Sequence, residues 1–175
     1  MRLPIVLDTC TILNLLRIDE DEFLYKKLIK LEINICQSVF EEANRNVRTK
    51  TFSENQRKYI SSHTPQLVPF IIRCDEQFEK EYKACIQDFC DYKKENGEFY
   101  STLISLYLCR QKHCRLYFYT DDYPAKCVFD RFFNYQQIGV IGDTIDLLVF
   151  LYWSNPDFNQ QKLKKYLQNL LSEFA

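Results

Sequence analysis

Leu3-Pro4-Ile5-Val6-Leu7-Asp8-Thr9-Cys10-Thr11-Ile12-Leu13-Asn14-Leu15-Leu16 is the stretch that decides the fold. Residues 3–7 are apolar without alternation, as in a strand buried on both faces. Asp8 ends the run, and Thr11 to Ile18 continue as a short apolar helix. An acid at the carboxyl end of such a strand sits in the crevice where open α/β sheets bind ligands. The same handover recurs at Leu116-Tyr117-Phe118-Tyr119, which runs into Thr120, Asp121 and Asp122. Glu42 lies early in the helix after Ile33-Asn34-Ile35-Cys36, and Glu98 opens the helix that precedes the Asp pair. Carboxylates converging at strand ends repel one another unless a divalent cation neutralises them. The expectation is a hard-metal site.

Outward from these points the chain alternates strand and helix. Asp19-Glu20-Asp21-Glu22 suits the first turn of a helix running to about Lys30, where negative charge complements the dipole. Ile33 to Cys36 is a second strand. Ser38-Val39-Phe40-Glu41 reads as a capping box, with a long helix following to Tyr59 or Ile60. Residues 61–74 are a connection with two prolines, and helix resumes from about Asp75 to Lys94. After the helix opened by Glu98 come the strand 116–119, a helix with Pro124 in its first turn, the strand 138–141, a helix from Gly142-Asp143 to about Trp153, and an amphipathic helix over 157–173. Four strands separated by helices imply a three-layer α/β/α arrangement with a mostly parallel sheet of four to five strands. No repeat or linker divides the chain. It reads as one domain over 1–155 with a helical elaboration at about 45–95, and a C-terminal helix over 156–175 packed on the same body.

Composition narrows the class. A chain of 175 residues with 14 Phe and 12 Tyr can bury a sound core and is not disordered. Only 3 Gly and 5 Pro argue against a turn-rich β sandwich. A net charge of −1 excludes a strongly basic histone-like binder, so nucleic-acid contact would need a local patch. No run approaches the roughly 18 apolar residues of a membrane span, and the N-terminus lacks a signal-type apolar run. Eight cysteines in such a chain read as reduced thiols used as small core residues. Cys109, His113 and Cys114, with Cys85 and Cys90 upstream, lack the tight spacing of a structural zinc site.

Each acid has a plainer explanation. Asp8 can cap a helix, Glu98 can be an ordinary first-turn acid, and Asp121-Asp122 can be a turn and an N-cap. Glu41, at the capping-box position, reads as the structural one of its pair, so Glu42 is preferred for the site, with Glu41 the alternative. Four unrelated caps falling at strand ends in an α/β order is nevertheless the less economical reading.

The set Ile5-Val6-Leu7-Asp8-Thr9-Cys10, Val39-Phe40-Glu41-Glu42, Gly97-Glu98 and Tyr119-Thr120-Asp121-Asp122 with Ala125 resembles the PIN-domain nuclease family. Ile138-Gly139-Val140-Ile141-Gly142 with its following apolar helix resembles that family's last strand and helix. The similarity spans most of the chain outside 45–95 and the tail after Trp153. It implies an acidic quartet of Asp8, Glu42, Glu98 and Asp121, with Asp8, Glu98, Asp121 and Asp122 around the metal. It further implies hydrolysis of RNA phosphodiester bonds, leaving a 5′-phosphate, by a toxin of a toxin–antitoxin pair or by an RNA-processing or defence nuclease. Cys10 departs from the family, standing where a Ser is often seen. The central helical segment is also longer than in compact toxin-type members.

Carboxylate ligands suit Mg²⁺ or Mn²⁺ over zinc. A divalent ion makes water acidic enough to attack phosphorus and stabilises the leaving oxygen. The two histidines, His63 and His113, lie outside the strand-end motifs. Arg45, Arg48 and Lys50, with Arg57 and Lys58 beyond, are candidates to track a nucleic-acid backbone. Phe52 or Tyr59 is a candidate to stack on a base. The partners expected are an RNA substrate and an antitoxin or other protein, with Leu13, Leu16 and Phe23 as apolar residues that suit a homodimer or a core equally well. A cytoplasmic protein is expected. The competing reading is a catalytically silent nucleic-acid-binding or scaffold module on the same fold. A phosphatase with an Asp nucleophile fits poorly, because Asp8-Thr9-Cys10-Thr11 lacks a second Asp two residues on.

Overall fold

A computed structural model describes residues 3–49 and 52–172. Four strands, β1 (Ile5–Leu7), β2 (Ile33–Asn34), β3 (Leu116–Tyr119) and β4 (Gly139–Gly142), form one all-parallel sheet in the order β2-β1-β3-β4. The chain steps from β1 to β2 on one side and then crosses to β3 on the other. The order therefore reverses between β1 and β3, and the strand ends on either side of that reversal are those of Asp8 and Asp121.

Successive β3 residues face opposite ways, as the pleat requires. The Tyr117 ring meets Phe150 of α8 (Thr144–Ser154), and the Phe118 ring stacks on Phe133 of α7 (Tyr123–Tyr135). Helices thus cover both faces in three layers. On the α8 side, α1 (Thr9–Ile18) packs against α8 and α9 (Gln160–Ser172). Elsewhere α6 (Gly97–Lys112) packs with α3 (Gln37–Thr49) and α5 (Glu76–Cys90). β1 is buried throughout and Phe118, Phe129, Phe132 and Phe133 are fully enclosed, so the aromatic content of the sequence fills the core.

Several local expectations change. Asp19–Glu22 precede α2 (Phe23–Leu28) instead of forming its first turn; the buried Asp19 carboxylate accepts the amides of Leu24 and Tyr25 at 3.1 and 2.8 Å. α3 starts at Gln37, directly after Cys36, so Ser38 is inside the helix and not its cap. The Ser38 hydroxyl pairs with Cys36 Sγ at 3.2 Å, and Glu41 accepts from Gln37 at 2.7 Å. The expected long helix is two helices. The second, α4 (Glu54–His63), carries a reciprocal capping box between Ser53 and Gln56. A 3₁₀ segment over Thr64–Phe70 follows, and Ile71 makes a parallel bridge to Ile35, a one-residue fifth contribution to the sheet.

Leu13 and Leu16 are 2% exposed and belong to the core, and the half-buried Phe23 packs against it, edge-on to Phe158 at 5.2 Å. All eight cysteines are free; Cys36 is buried as expected, whereas Cys85 and Cys127 are exposed. Among the described residues, four non-glycine residues hold positive φ: Glu22 (58°), Asp91 (48°), His113 (49°) and Gln137 (54°). Among the described residues no helix is long and apolar enough to cross a membrane.

Candidate metal centre

Asp8 occupies the N-cap position of α1, yet its side chain makes no capping hydrogen bond. The plainer explanation for this acid is therefore removed. Its Oδ2 accepts from the Cys10 thiol at 2.9 Å and from the Thr120 hydroxyl at 3.1 Å. Its Oδ1 is shut from solvent and has no hydrogen-bond partner among the described residues. An orphaned carboxylate oxygen is costly and calls for a compensating group. Burial pushes the Asp8 carboxyl above its ordinary range, against the hydrogen bonds from Cys10 and Thr120 that pull it down.

Asp8, Glu42, Glu98, Asp121 and Asp122 all line one cleft of about 530 Å³, together with Thr9, Cys10, Leu13, Asn14, Arg17 and Phe52. Gly97 brings two of the acids close. A β-carbon there would lie 3.1 Å from Glu42 Oε2 and 3.4 Å from Asp8 Oδ1, so the backbone of α6 makes room for both carboxylates. Glu42 is oriented by the Thr9 hydroxyl at 3.1 Å and by Asn46, four residues along α3, at 3.3 Å. Glu98 lies in the first turn of α6, after the Asn96 cap. Burial first, then the charge of Asp8, push its carboxyl up to about 7, with Asp122 and Glu42 adding to the effect.

Asp121 is held more completely. Its Oδ1 accepts the Thr144 amide at 2.9 Å, and its Oδ2 accepts from Asn14 at 2.8 Å and from the Thr144 hydroxyl. Asp122 caps α7 through Ala125 N at 3.0 Å, so its plainer role holds while it also borders the cleft. The Cys10 sulfur accepts the Asp121 amide at 3.1 Å and so ties the ends of β1 and β3 together. The amino ends of α1, α6 and α7 meet here, and their partial positive charge offsets part of the carboxylate repulsion.

The chain was compared with protein-family models, with curated proteins and with solved structures. It matches none of them.

The fit to a divalent ion rests on the donors themselves. The orphaned Asp8 oxygen opens on a cleft shared with Glu42 and Glu98, hard-oxygen donors of the kind that could hold Mg²⁺ or Mn²⁺. Among the described residues no three His, Cys, Asp or Glu side chains already converge on a single point at ligand distance. Carboxylates facing one another splay apart, and Mg²⁺ keeps several waters, so direct ligands are few. Cys109, His113 and Cys114 border a different pocket near the start of β3 and form no such group either.

The expected substrate-gripping residues fall elsewhere. Arg45 and Arg48 are exposed on α3 and do not line the cleft, because Asn46 takes the turn that shares Glu42's face. Lys50 lies outside the described residues. Lys58 pairs with Glu54, and Tyr59, which is not among the residues lining the cleft, donates to Asp19 at 2.8 Å and packs on His63. Phe52 does reach the cleft. Asn14, Arg17 and Thr144 were not singled out from the sequence. Cys10, Asn14 and Arg17 nonetheless fall at helical spacing along α1, a pattern the sequence carries.

Proposed function

We infer that this chain is a metal-dependent endoribonuclease resembling the PIN-domain nucleases, hydrolysing phosphodiester bonds with Asp8, Glu42, Glu98 and Asp121. The observation that carries the reading is the orphaned Oδ1 of Asp8 in a cleft bordered by four other acids, at the point where the sheet order reverses. The choice of RNA comes from the sequence resemblance.

When bound, Mg²⁺ or Mn²⁺ supplies charge neutralisation at the phosphate and makes water acidic enough to attack near neutral pH. The side chains do the rest. Cys10 and Thr120 fix Asp8 Oδ2 and so set the direction of Oδ1. Asn14 and Thr144 hold Asp121 in one rotamer. Glu98, whose carboxyl is pushed up by burial and by the charge of Asp8, would help Asp8 to hold the ion, which relieves that repulsion. Thr9 and Asn46 keep Glu42 turned toward the other acids.

The test is cleavage of an end-labelled RNA in Mn²⁺. Asp8→Asn is expected to lower the rate by about a thousandfold, the scale of losing one charged contact at the reacting centre, with a circular dichroism spectrum like that of the parent. Undiminished cleavage by that variant would defeat the assignment. A binding module without chemistry is the second reading, and the observation on its side is that Asp121 is already saturated by Thr144 and Asn14. RNA binding by the parent chain without cleavage in either metal would select it.

A further inference from the structure

We propose that α8 and the neighbouring edge strand β4 form the face on which two copies of this chain associate. The inference does not depend on the nuclease reading. From Leu147 to Trp153 every residue of α8 is apolar or aromatic. Leu147, Leu148 and Leu151 face the core and are fully buried, and a surface helix needs an apolar stripe on that side only. The opposite side is apolar as well. Ile145, Val149 and Trp153, each four residues from the next, are 42%, 37% and 80% exposed. β4 is the edge of the sheet, and its Val140 shares a face with Tyr117 by register, the face that α8 covers through Phe150. Val140 is nonetheless 57% exposed and adds to the apolar surface on that side. A helix that is apolar all round belongs in an interior, and no described part of this chain covers the outer side of α8.

A second copy fits this face by area, charge and symmetry. The four side chains together expose roughly 400 Å² of apolar surface. Homodimer interfaces are about 65% apolar, so such a core implies a footprint of about 600 Å² on each copy and about 1,200 Å² in all. That clears the roughly 1,000 Å² of a specific interface, at the weak end of the range. None of the four is charged. The adjacent Asp146 carboxylate is turned back onto the Asp143 amide at 3.0 Å, and Asp143 pairs with Lys126. A neutral face does not repel its own copy and gives a charged partner nothing to pair with. The stripe also matches itself when reversed. Val149 stands midway between Ile145 and Trp153, about 6 Å along the axis from each. Two antiparallel copies of α8 therefore set Val149 against Val149 at the two-fold and the large Trp153 against the smaller Ile145 at either end. β4, Gly139–Gly142, carries no charge or proline to ward off such an approach.

Trp153 is the sole tryptophan of the chain, so its fluorescence reports this contact and no other. The experiment follows the full chain by sedimentation velocity and by tryptophan emission with acrylamide quenching, across a dilution series. Reductant is present throughout, because Cys85 and Cys127 are exposed. The sedimentation coefficient is expected to rise from monomer to dimer through the micromolar range that a small interface implies. Over the same concentrations the emission should shift to the blue and the quenching should fall. Val149→Asp brings two carboxylates together at the two-fold and should raise Kd by about a hundredfold or more, with the thermal midpoint of dilute protein unchanged. If that variant loses stability at dilution, Trp153→Ser takes its place and should leave a monomer. A parent chain that stays monomeric, with a quenchable tryptophan, would overturn the proposal. So would a dimer that survives these variants or leaves Trp153 quenchable, since its contact would lie elsewhere. A tryptophan already shielded in the monomer would overturn it too, because the chain would then cover the face itself.

Discussion

At Gly97 a missing side chain lets two acids share one corner. Gly97→Ala would drive a methyl group against Glu42 Oε2 and Asp8 Oδ1. In metal-free protein the thermal midpoint should stay near that of the parent, because alanine gains up to about 1 kcal/mol of helix propensity. The rise in midpoint on adding Mn²⁺ should shrink markedly, and an unchanged rise would show that the corner is not where the ion sits. Cys10 acts in the opposite sense, by what it supplies. Cys10→Val removes partners from both Asp8 Oδ2 and the Asp121 amide and should cost about 1–3 kcal/mol in urea denaturation. Cys10→Ser, which keeps a donor and an acceptor, should cost far less. The acids were legible in the sequence because strand ends are marked by apolar runs. The thiol's linking role was not, since its partners lie at the end of a strand more than a hundred residues away.

Helix beginnings mix success and failure for one reason. Asp143 before Thr144 and Asp122 before Tyr123 cap as their types suggest. The Ser38–Glu41 spacing fits a capping box equally well, but β2 passes through Cys36 straight into α3, and the helix is under way before Ser38. The true box, Ser53 with Gln56, was hidden inside a stretch with no Gly or Pro to announce a break. Ser53→Ala should therefore lower stability by about 1 kcal/mol, and Ser38→Ala should leave it nearly unchanged, as urea midpoints would register. Equal effects would mean that the first turn of α4 does not depend on its cap.

For the molecule as a whole, sheet order was the least legible property. Strand positions follow from local runs, but the sequence of β2-β1-β3-β4 depends on which helices pack on which face. That order joins Asp8 to Asp121 and creates a global pH response. Burial, then the charge of Asp8, push the Glu98 carboxyl up to about 7 from an ordinary 4.5, and burial raises Asp8 as well. The folded state thus holds protons that the unfolded chain releases earlier, so stability falls as pH rises from the ordinary carboxylate range toward 7. Without divalent metal, the urea midpoint at pH 7.5 should lie below that at pH 5. Saturating Mn²⁺ should restore it, because the ion replaces the proton. A midpoint that climbs across this interval in EDTA would rule out a strained acidic cluster. The exposed acids held low by lysines, such as Asp157 beside Lys27, lose their benefit only at more acidic pH and do not compete in this window.

The left-handed backbone at Gln137, in the tight link from α7 to β4, leaves the chain unoptimised at a spot that does not line the acidic cleft. Glycine adopts that geometry without a side-chain clash. Gln137→Gly should thus yield a hardier parent protein, heat-tolerant enough to carry destabilising changes in the cleft through purification and crystallisation.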